Sequence, residues 1–270
     1  MGPDLTAASA REPRIIAIAN QKGGVGKTTT AINLATALAA IRKRVLVVDL
    51  DPQGNASTGL GIARTDRRLN SYHLMMDEAS PEEATLKTEI PGLEVIPAGV
   101  DLSGAEIELV DVEAREYRLR GALKRLGDAF DFVLIDCPPA LGLLTINALV
   151  AAQAVLVPLQ CEFFALEGVS HLVKTIERVK KAFNPGLEIQ GIVLTMFDRR
   201  NNLSGAVASD VRAFFGEKVY QTVIPRNVRV SEAPSHGRPV LVYDMRCAGS
   251  KAYLSLAGEV IKRERLEAAA

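Results

Sequence analysis

The chain has 270 residues, of which 48% are hydrophobic and 24% charged, and its formal net charge at neutral pH is zero. These proportions are typical of a folded globular protein and argue against disordered, collagen-like and coiled-coil chains. The longest apolar stretches, such as 148–159, are shorter than the roughly 18–20 residues that a membrane helix needs, so we expect no membrane span.

Apolar, β-branched runs alternate along the chain with segments of helical period. This alternation predicts an α/β fold with a single doubly wound, mostly parallel sheet and helices on both faces. The predicted strands are 14–19, 45–50, 93–97, 132–136, 154–159, 189–197 and 219–224. The predicted helices are 27–41, a weak pair around 71–88, 105–126, 143–152, 166–183, 204–215 and 250–266. The stretch 55–90 is the least periodic, and we expect it to form an irregular excursion from the sheet.

No repeat, linker or low-complexity tract divides the chain. We therefore predict one domain over 14–270, preceded by a flexible tail over 1–13. The tail holds charged residues and no apolar run, so we expect no secretory signal and a cytoplasmic protein. Cys137, Cys161 and Cys247 are odd in number and far apart, which favours reduced structural thiols over a disulfide framework.

A glycine-rich segment follows the first predicted strand and leads directly into a helix. It reads Lys22-Gly23-Gly24-Val25-Gly26-Lys27-Thr28-Thr29. Its glycines let backbone N–H groups turn toward phosphate oxygens, and the positive end of the helix dipole adds to the same site. Lys27 would pair with the β and γ phosphates of ATP, and the Thr28 hydroxyl would ligate Mg²⁺. The ordinary phosphate-loop spacing fails, because Gln21 stands where that pattern has glycine.

Three carboxylates stand at the ends of predicted strands. Asp49 and Asp51 are two residues apart, so both would project to the same side if the strand continues that far. One of them could serve the metal region and the other the attacking water. Asp136 ends the strand 132–136, at the edge where open α/β sheets bind ligands, and it is a candidate to hold Mg²⁺ through water.

Because Lys22 precedes the glycines, the loop resembles the deviant P-loop family that includes ParA, MinD and the nitrogenase iron protein. The resemblance implies an ATP-dependent homodimer in which Lys22 reaches the phosphates bound by the partner subunit. It also implies that Asp51 positions the attacking water and that Asp49 supports the Mg²⁺ and the loop. No arginine of the loop stands out as a finger, so we expect slow ATP hydrolysis that awaits a stimulator.

Over almost the whole chain, from about 14 to 266, the resemblance narrows to the ParA/Soj partition ATPases. The segments that carry it are 22–29, 49–55, 107–119, 136–139, 198–203 and 224–234. It implies a nucleoid-associated protein whose ATP-bound dimer binds double-stranded DNA without sequence preference and is released when a ParB-type centromere-binding protein stimulates hydrolysis. It also implies that Asp198, Pro225, Arg226 and Asn227 contact adenine.

The distribution of charge supports the DNA partner independently. Residues 1–173 carry 16 basic and 22 acidic side chains, whereas residues 174–270 carry 16 and 10. An excess of positive charge in one part of a chain suits the phosphate backbone. The segment 224–234 is rich in proline and arginine, so we expect an exposed loop that cannot be a helix. The predicted DNA contacts are, first, Arg200 and Arg229 and, behind them, Arg199, Arg226, Lys251 and Lys262.

Other members of the wider family suggest alternative functions. A MinD-like, membrane-associated regulator of cell division needs an amphipathic C-terminal tip, and the end of this chain is too acidic and too poor in bulky apolar residues. Cys137 and Cys161 lack the surroundings of an iron–sulfur site, and a bacterial tyrosine kinase would need a C-terminal tyrosine cluster. A binding module without hydrolysis is harder to exclude from sequence.

Overall fold

The computed structural model describes residues 12–162 and 165–267. Residues 1–11 of the predicted flexible tail, 1–13, therefore lie outside the described residues. Eight strands form one sheet: β1 (Arg14–Ile18), β2 (Val45–Asp49), β3 (Leu86–Lys87), β4 (Leu93–Ile96), β5 (Phe132–Asp136), β6 (Ala154–Gln160), β7 (Glu188–Phe197) and β8 (Val219–Pro225). All seven predicted strands are found, and the short β3 is an addition.

Within the described residues, twelve α-helices connect and cover the strands. They are α1 (Lys27–Ala40), α2 (Asn55–Gly59), α3 (Ser71–Met76), α4 (Pro81–Ala84), α5 (Leu102–Glu108), α6 (Arg118–Leu123), α7 (Leu143–Ala151), α8 (Ala165–Ala182), α9 (Asn202–Phe215), α10 (Val228–Glu232), α11 (Val240–Tyr243) and α12 (Ala248–Glu267). The stretch predicted to be irregular contains only short elements, from α2 to β3.

The strand order is β3-β4-β2-β5-β1-β6-β7-β8, and every pairing except β3 with β4 is parallel. Alternate strand residues enter two separate cores: Ile15 and Ala17 pack with α3 and α5 to α9, whereas Ile16 and Ile18 pack with α1, α2, α11 and α12. Helices therefore cover both faces of a mostly parallel sheet, which confirms the predicted doubly wound fold. In the part of the chain that the structure describes, no helix has the length and apolarity needed to cross a membrane.

The helix predicted over 105–126 is wrong as one continuous element. It is divided into α5 and α6, and Ala114 between them has a left-handed φ of 54°. Asn147 of α7 stabilises the break, because its Nδ2 donates to the carbonyl of Arg115 at 2.9 Å and its Oδ1 accepts from the amide of Leu119 at 3.2 Å. A tertiary contact thus overrides the helical period of the sequence.

The prediction that the segment 224–234 cannot be a helix is also wrong. Asn227 caps α10, since its side chain accepts a hydrogen bond from the amide of Arg229 at 2.9 Å. Pro234 lies in the first turn of the following 3₁₀ helix Ala233–His236, a position where a missing N–H costs nothing. The proline therefore starts a second helical turn instead of preventing the first.

Candidate functional site

The glycine-rich loop joins β1 to α1 at the C-terminal edge of the sheet. Gly24 and Gly26 have φ angles of 75° and 90°, in the left-handed region that favours glycine. Gly26 is the N-cap of α1, and no described side chain caps the helix, so its first N–H groups can bind an anion. Thr195 of β7 fixes the loop by donating from Oγ1 to the carbonyl of Val25 at 2.8 Å. Thr28 and Thr29 are half-buried in the first turn of α1.

Lys27 is the buried cation of this loop. Its side chain folds back over the glycines, and Nζ donates to the carbonyl of Lys22 at 2.9 Å. Burial lowers the pKa of Lys27, and the negative charges of Asp136 and Asp51 oppose that shift. The nearby carboxylates thus help to keep the ammonium group charged, as phosphate binding requires.

The Lys22 side chain is directed away from that interior. About half of it is exposed, and its Nζ contacts Oε1 of Glu162, which follows β6. The backbone at Lys22 is held in place because its amide donates to Oδ1 of Asn20 at 3.1 Å, and Asn20 donates from Nδ2 to the carbonyl of Pro158 at 2.7 Å. The backbone of the loop is therefore held by hydrogen bonds, while the Lys22 side chain lies partly in solvent.

Asp136 is the least satisfied polar group of the site. It is fully buried at the end of β5, and no described residue makes a hydrogen bond of good geometry to either carboxylate oxygen, although the Thr28 hydroxyl is close enough to affect its pKa. Burial, followed by the charge of Asp49, raises the pKa of Asp136 well above its usual value, whereas the Thr28 hydroxyl and Lys27 lower it. An unpaired buried carboxylate is costly and indicates a missing cationic partner.

The predicted Mg²⁺ site fits this observation. Mg²⁺ is usually held by one or two protein oxygens together with substrate phosphates and water, instead of an all-protein cage. Thr28 and Asp136 supply such oxygens beside the phosphate loop. No group of three or more His, Cys, Asp or Glu side chains that could hold a metal is found within 12–162 and 165–267.

Asp49 lies beside Asp136 in the sheet, as its register partner on β2. Its Oδ2 accepts hydrogen bonds from the amide and the hydroxyl of Ser57, at 2.8 and 2.6 Å, and its Oδ1 accepts from the amide of Asp51 at 3.3 Å. Burial raises the pKa of Asp49 to about 6, and the Ser57 hydrogen bonds limit the rise. These contacts tie the end of β2 to the segment that follows it, and the expected role of Asp49 toward the Mg²⁺ and the loop stays a prediction.

Asp51 lies just beyond the end of β2 and begins a tight turn. The turn is closed by the amide of Gly54, which donates to the carbonyl of Asp51 at 2.8 Å. The same aspartate accepts at Oδ1 from the amide of Gln53, at 3.0 Å. Its charge affects both Lys27 and Asp136, so the structure brings Asp51 to the phosphate loop as the sequence predicts.

The residues predicted to contact adenine follow two neighbouring strands. Phe197 and Pro225 are register partners, and the amide of Arg226 donates to the Phe197 carbonyl at 3.0 Å. Asp198 therefore lies beside Pro225–Asn227, but its carboxylate already accepts three hydrogen bonds from Arg200, two from the guanidinium and one from the backbone amide, each of 3.0 Å. Those hydrogen bonds lower the pKa of Asp198 to about 2. Adenine contact by this group stays a prediction.

Five of the six predicted DNA contacts share the nucleotide edge of the sheet. Arg199 and Arg200 follow β7, Arg226 follows β8, and α10 with Arg229 lies against the start of α12, which carries Lys251. All five are exposed. Arg229 forms ion pairs with Glu232 at 3.0 Å and Asp244 at 3.6 Å. We call these five residues the basic edge.

Lys262 is not part of the basic edge. Its neighbours on α12, Arg263 and Glu264, contact Gln190 and Arg14, which belong to the opposite, N-terminal ends of β7 and β1. Lys262 is exposed there, far from the phosphate loop. The structure thus places Lys262 apart from the other five predicted DNA contacts, and its own contact with DNA stays a prediction.

Sequence reasoning missed Ser57, Glu162 and Arg67, which contact Asp49, Lys22 and the turn after Asp51 respectively. Arg67 and Ser57 lie in the least periodic stretch of the sequence, and Glu162 follows a strand without any motif. Only the fold brings these residues to the site.

Phosphate-loop proteins bind nucleotide where the first strand of the sheet meets the first helix, with a carboxylate for the metal ion on a neighbouring strand. Lys27 and Asp136 stand in this relationship, and they place the chain in the class of phosphate-loop nucleotide-binding proteins. A family model described as an AAA domain matches residues 13–189.

Proteins of similar sequence show to which family of phosphate-loop proteins the chain belongs. The chain is 66% identical to the chromosome partitioning protein ParA of Caulobacter vibrioides, over 95% of this chain and 97% of that protein. It is 54% identical to the sporulation initiation inhibitor protein Soj of Bacillus subtilis, over 92% and 98% of the two chains. The chain therefore belongs to the ParA/Soj family of partition ATPases.

A solved structure shows how the fold is used elsewhere. The cobyrinic acid a,c-diamide synthase of Mycobacterium smegmatis, with a bound ATP analogue and magnesium, matches with a TM-score of 0.82 and 37% identity. The match covers 94% of this chain and 96% of that chain. The same architecture thus binds a nucleotide and magnesium in another protein.

Proposed function

We propose that this protein is a Mg²⁺-dependent ATPase that partitions DNA. ATP closes two copies into a homodimer, the dimer binds double-stranded DNA without sequence preference, and hydrolysis, stimulated by a ParB-type centromere-binding protein, releases it. The proposal depends most on one observation, the buried and unpaired Asp136 beside Thr28 and Lys27. The 66% identity to a chromosome partitioning protein supports the biological role.

The chemistry of the proposed reaction is positioning and charge neutralisation. Bound Mg²⁺, held by Thr28 and through water by Asp136, would neutralise negative charge on the phosphates. Lys27 and the N–H groups at the start of α1 bind the same phosphates. Asp51, fixed at Oδ1 by the amide of Gln53, orients the attacking water and accepts a proton from it.

Dimer formation on ATP is assigned to Lys22. Among the described residues, its Nζ contacts the partly exposed carboxylate of Glu162, and an ion pair near the surface contributes about 0–1 kcal/mol. Lys22 can therefore leave Glu162 for the triphosphate bound by a partner subunit at a small cost in free energy. The proposed dimer brings two basic edges to one assembly and so doubles the positive charge available to a duplex.

The basic edge and the nucleotide site share one side of the sheet. Thr195 of β7 contacts the phosphate loop, and β7 leads directly to Arg199 and Arg200. This continuity supports DNA binding that depends on the bound nucleotide. Within a cell, such binding would place the protein in the cytoplasm on the nucleoid.

The proposal is tested by fluorescence anisotropy with a labelled duplex of arbitrary sequence. Samples contain no nucleotide, ADP, ATP or a non-hydrolysable ATP analogue, each with Mg²⁺. We expect binding with ATP and the analogue only, and an affinity whose logarithm falls with log salt by about 0.9 per phosphate contact. An affinity independent of salt would contradict DNA binding by the basic edge.

A further inference from the structure

Arg67 is a buried guanidinium without a carboxylate hydrogen-bond partner among the described residues. It is 8% exposed and follows the 3₁₀ turn Arg64–Asp66, inside the stretch of short elements between β2 and β3. Its Nη1 donates to the carbonyls of Gly54 and Ala98, at 3.1 and 3.4 Å. Its Nη2 donates to Oγ1 of Thr58 and to the carbonyl of Ile62, both at 2.8 Å. The group therefore ties three loops together.

One of these loops carries Asp51. The carbonyl of Gly54 that Arg67 holds belongs to the residue whose amide closes the Asp51 turn at 2.8 Å. Thr58 donates to the same carbonyl at 3.0 Å. The amide of Gln53, which donates to Oδ1 of Asp51, belongs to this turn. Arg67 holds the last residue of the turn, Gly54, and thereby helps to fix the orientation of the Gln53 amide.

Gly54 provides an independent sign of this close approach. It has a φ of 63°, and a Cβ atom at this position would lie 2.3 Å from Nη1 of Arg67 and 3.2 Å from the carbonyl oxygen of Ala98. Only a residue without a side chain lets the guanidinium contact the backbone here. The planar fork of arginine also reaches acceptors on several sides at once, which the single ammonium group of lysine does not.

We propose that Arg67 is a positioning residue for hydrolysis: it holds the turn 51–54 so that Asp51 meets the attacking water. This inference rests on the proposed ATPase function and extends it to a residue that touches neither nucleotide nor water. Displacement of a reacting group by about 1 Å costs about 100-fold in rate. Loss of Arg67 should therefore reduce kcat, while the phosphate loop and Lys27 still bind nucleotide.

The test compares Arg67→Met with wild type and with Arg68→Met, an exposed neighbour that serves as the matched control. ATP turnover, the affinity for a fluorescent ATP analogue and the thermal midpoint are measured for each. We expect kcat to fall about 100-fold in Arg67→Met, with nucleotide affinity within about two-fold of wild type. Arg68→Met should match wild type.

Two results would overturn the proposal: unchanged turnover, or turnover and nucleotide affinity that fall together. If Arg67→Met does not fold, Arg67→Lys decides by the same criteria, because it keeps the buried positive charge and loses only the planar fork that reaches several acceptors at once. Wild-type turnover is a separate result. If wild type itself does not hydrolyse ATP, the proposed function fails, whereas a failure confined to the variants concerns Arg67 alone.

Discussion

The ammonium group of Lys22 contacts the carboxylate of Glu162 in the same chain, so the lysine assigned to a partner's nucleotide is engaged within its own subunit. Both side chains are partly exposed, which keeps the ion pair weak and exchangeable. Removing the lysine should therefore affect the dimer far more than the folded subunit. We expect Lys22→Gln and Lys22→Ala to lose the ATP-dependent dimer and DNA binding with little change in thermal stability. Light scattering measures the dimer and fluorescence anisotropy measures DNA binding. A variant that retains the ATP-dependent dimer and DNA binding would refute the role of Lys22.

Removal of the charge of Glu162, the acidic partner of Lys22, should have the opposite effect on the ATP-dependent dimer. Glu162→Gln removes the charge that holds Lys22 within its own subunit. Because an exposed ion pair contributes about 0–1 kcal/mol and the dimer has two such pairs, the ATP-dependent dimer should tighten by up to about 30-fold. Sedimentation at several protein concentrations with a non-hydrolysable ATP analogue measures the effect. A dimer that becomes weaker would indicate that Glu162 serves the interface itself.

Asp51→Ala should separate binding from turnover. The phosphate loop, Lys27 and Asp136 are untouched by the change, so ATP binding and DNA binding should remain. Loss of a group that positions water and accepts its proton should lower kcat by about 10²–10⁴-fold. Phosphate release and a gel shift on the same preparation provide the measurement. Hydrolysis at the wild-type rate would exclude Asp51 from the reaction.

Asp136 links stability to pH. Burial raises its pKa, and the pKa of Asp49 beside it rises to about 6, so the folded protein holds protons that the unfolded chain releases near pH 4. The free energy of unfolding without nucleotide therefore decreases as pH rises through about 6. Asp136→Asn removes the buried charge, and we expect a higher thermal midpoint than wild type at pH 8 and a smaller difference at pH 5.

The same variant should lose its response to ligand. Without the Asp136 carboxylate, ATP with Mg²⁺ should stabilise the protein no more than ATP with EDTA does, whereas wild type should gain from the metal. Thermal melts with and without metal measure this. A variant that is less stable than wild type at pH 8, or that keeps the magnesium effect, would contradict the assignment of this carboxylate to the ion.

The basic edge and Lys262 make different predictions for DNA affinity. Arg200→Ala or Arg229→Ala should each reduce the salt slope by about one, since each removes one phosphate contact. Lys262 lies near the other end of the sheet, so Lys262→Ala serves as a control of equal charge change and should leave the slope unchanged. Equal effects from all three variants would mean that net charge, and not the basic edge, governs binding.

The fold was predictable because its signals are local. Apolar β-branched runs such as Val45–Asp49 indicate buried parallel strands, and the glycines before Lys27 indicate the phosphate loop without any knowledge of the rest of the chain. The helix breaks were not predictable. The gap between α5 and α6 depends on Asn147, which follows in sequence and reaches back to it only in the folded protein.

The candidate site was predictable for the same reason where its residues stand in motifs. Lys22, Asp51 and Asp136 each adjoin a strand end that the sequence marks. Arg67 and Glu162 act through contacts with those residues or their loops, and nothing near them in sequence distinguishes them from surface charges. Long-range partners of this kind emerge only when the sheet brings its strand ends together.

The central claim is that ATP creates a dimer and that only the dimer binds a duplex. The most direct measurement is light scattering coupled to size-exclusion chromatography, with and without a labelled duplex of arbitrary sequence, in ADP and in a non-hydrolysable ATP analogue with Mg²⁺. The account predicts a single subunit without bound duplex in ADP, and a dimer that elutes with the duplex in the analogue. A single subunit in the analogue, or equal duplex binding in both nucleotides, would contradict it.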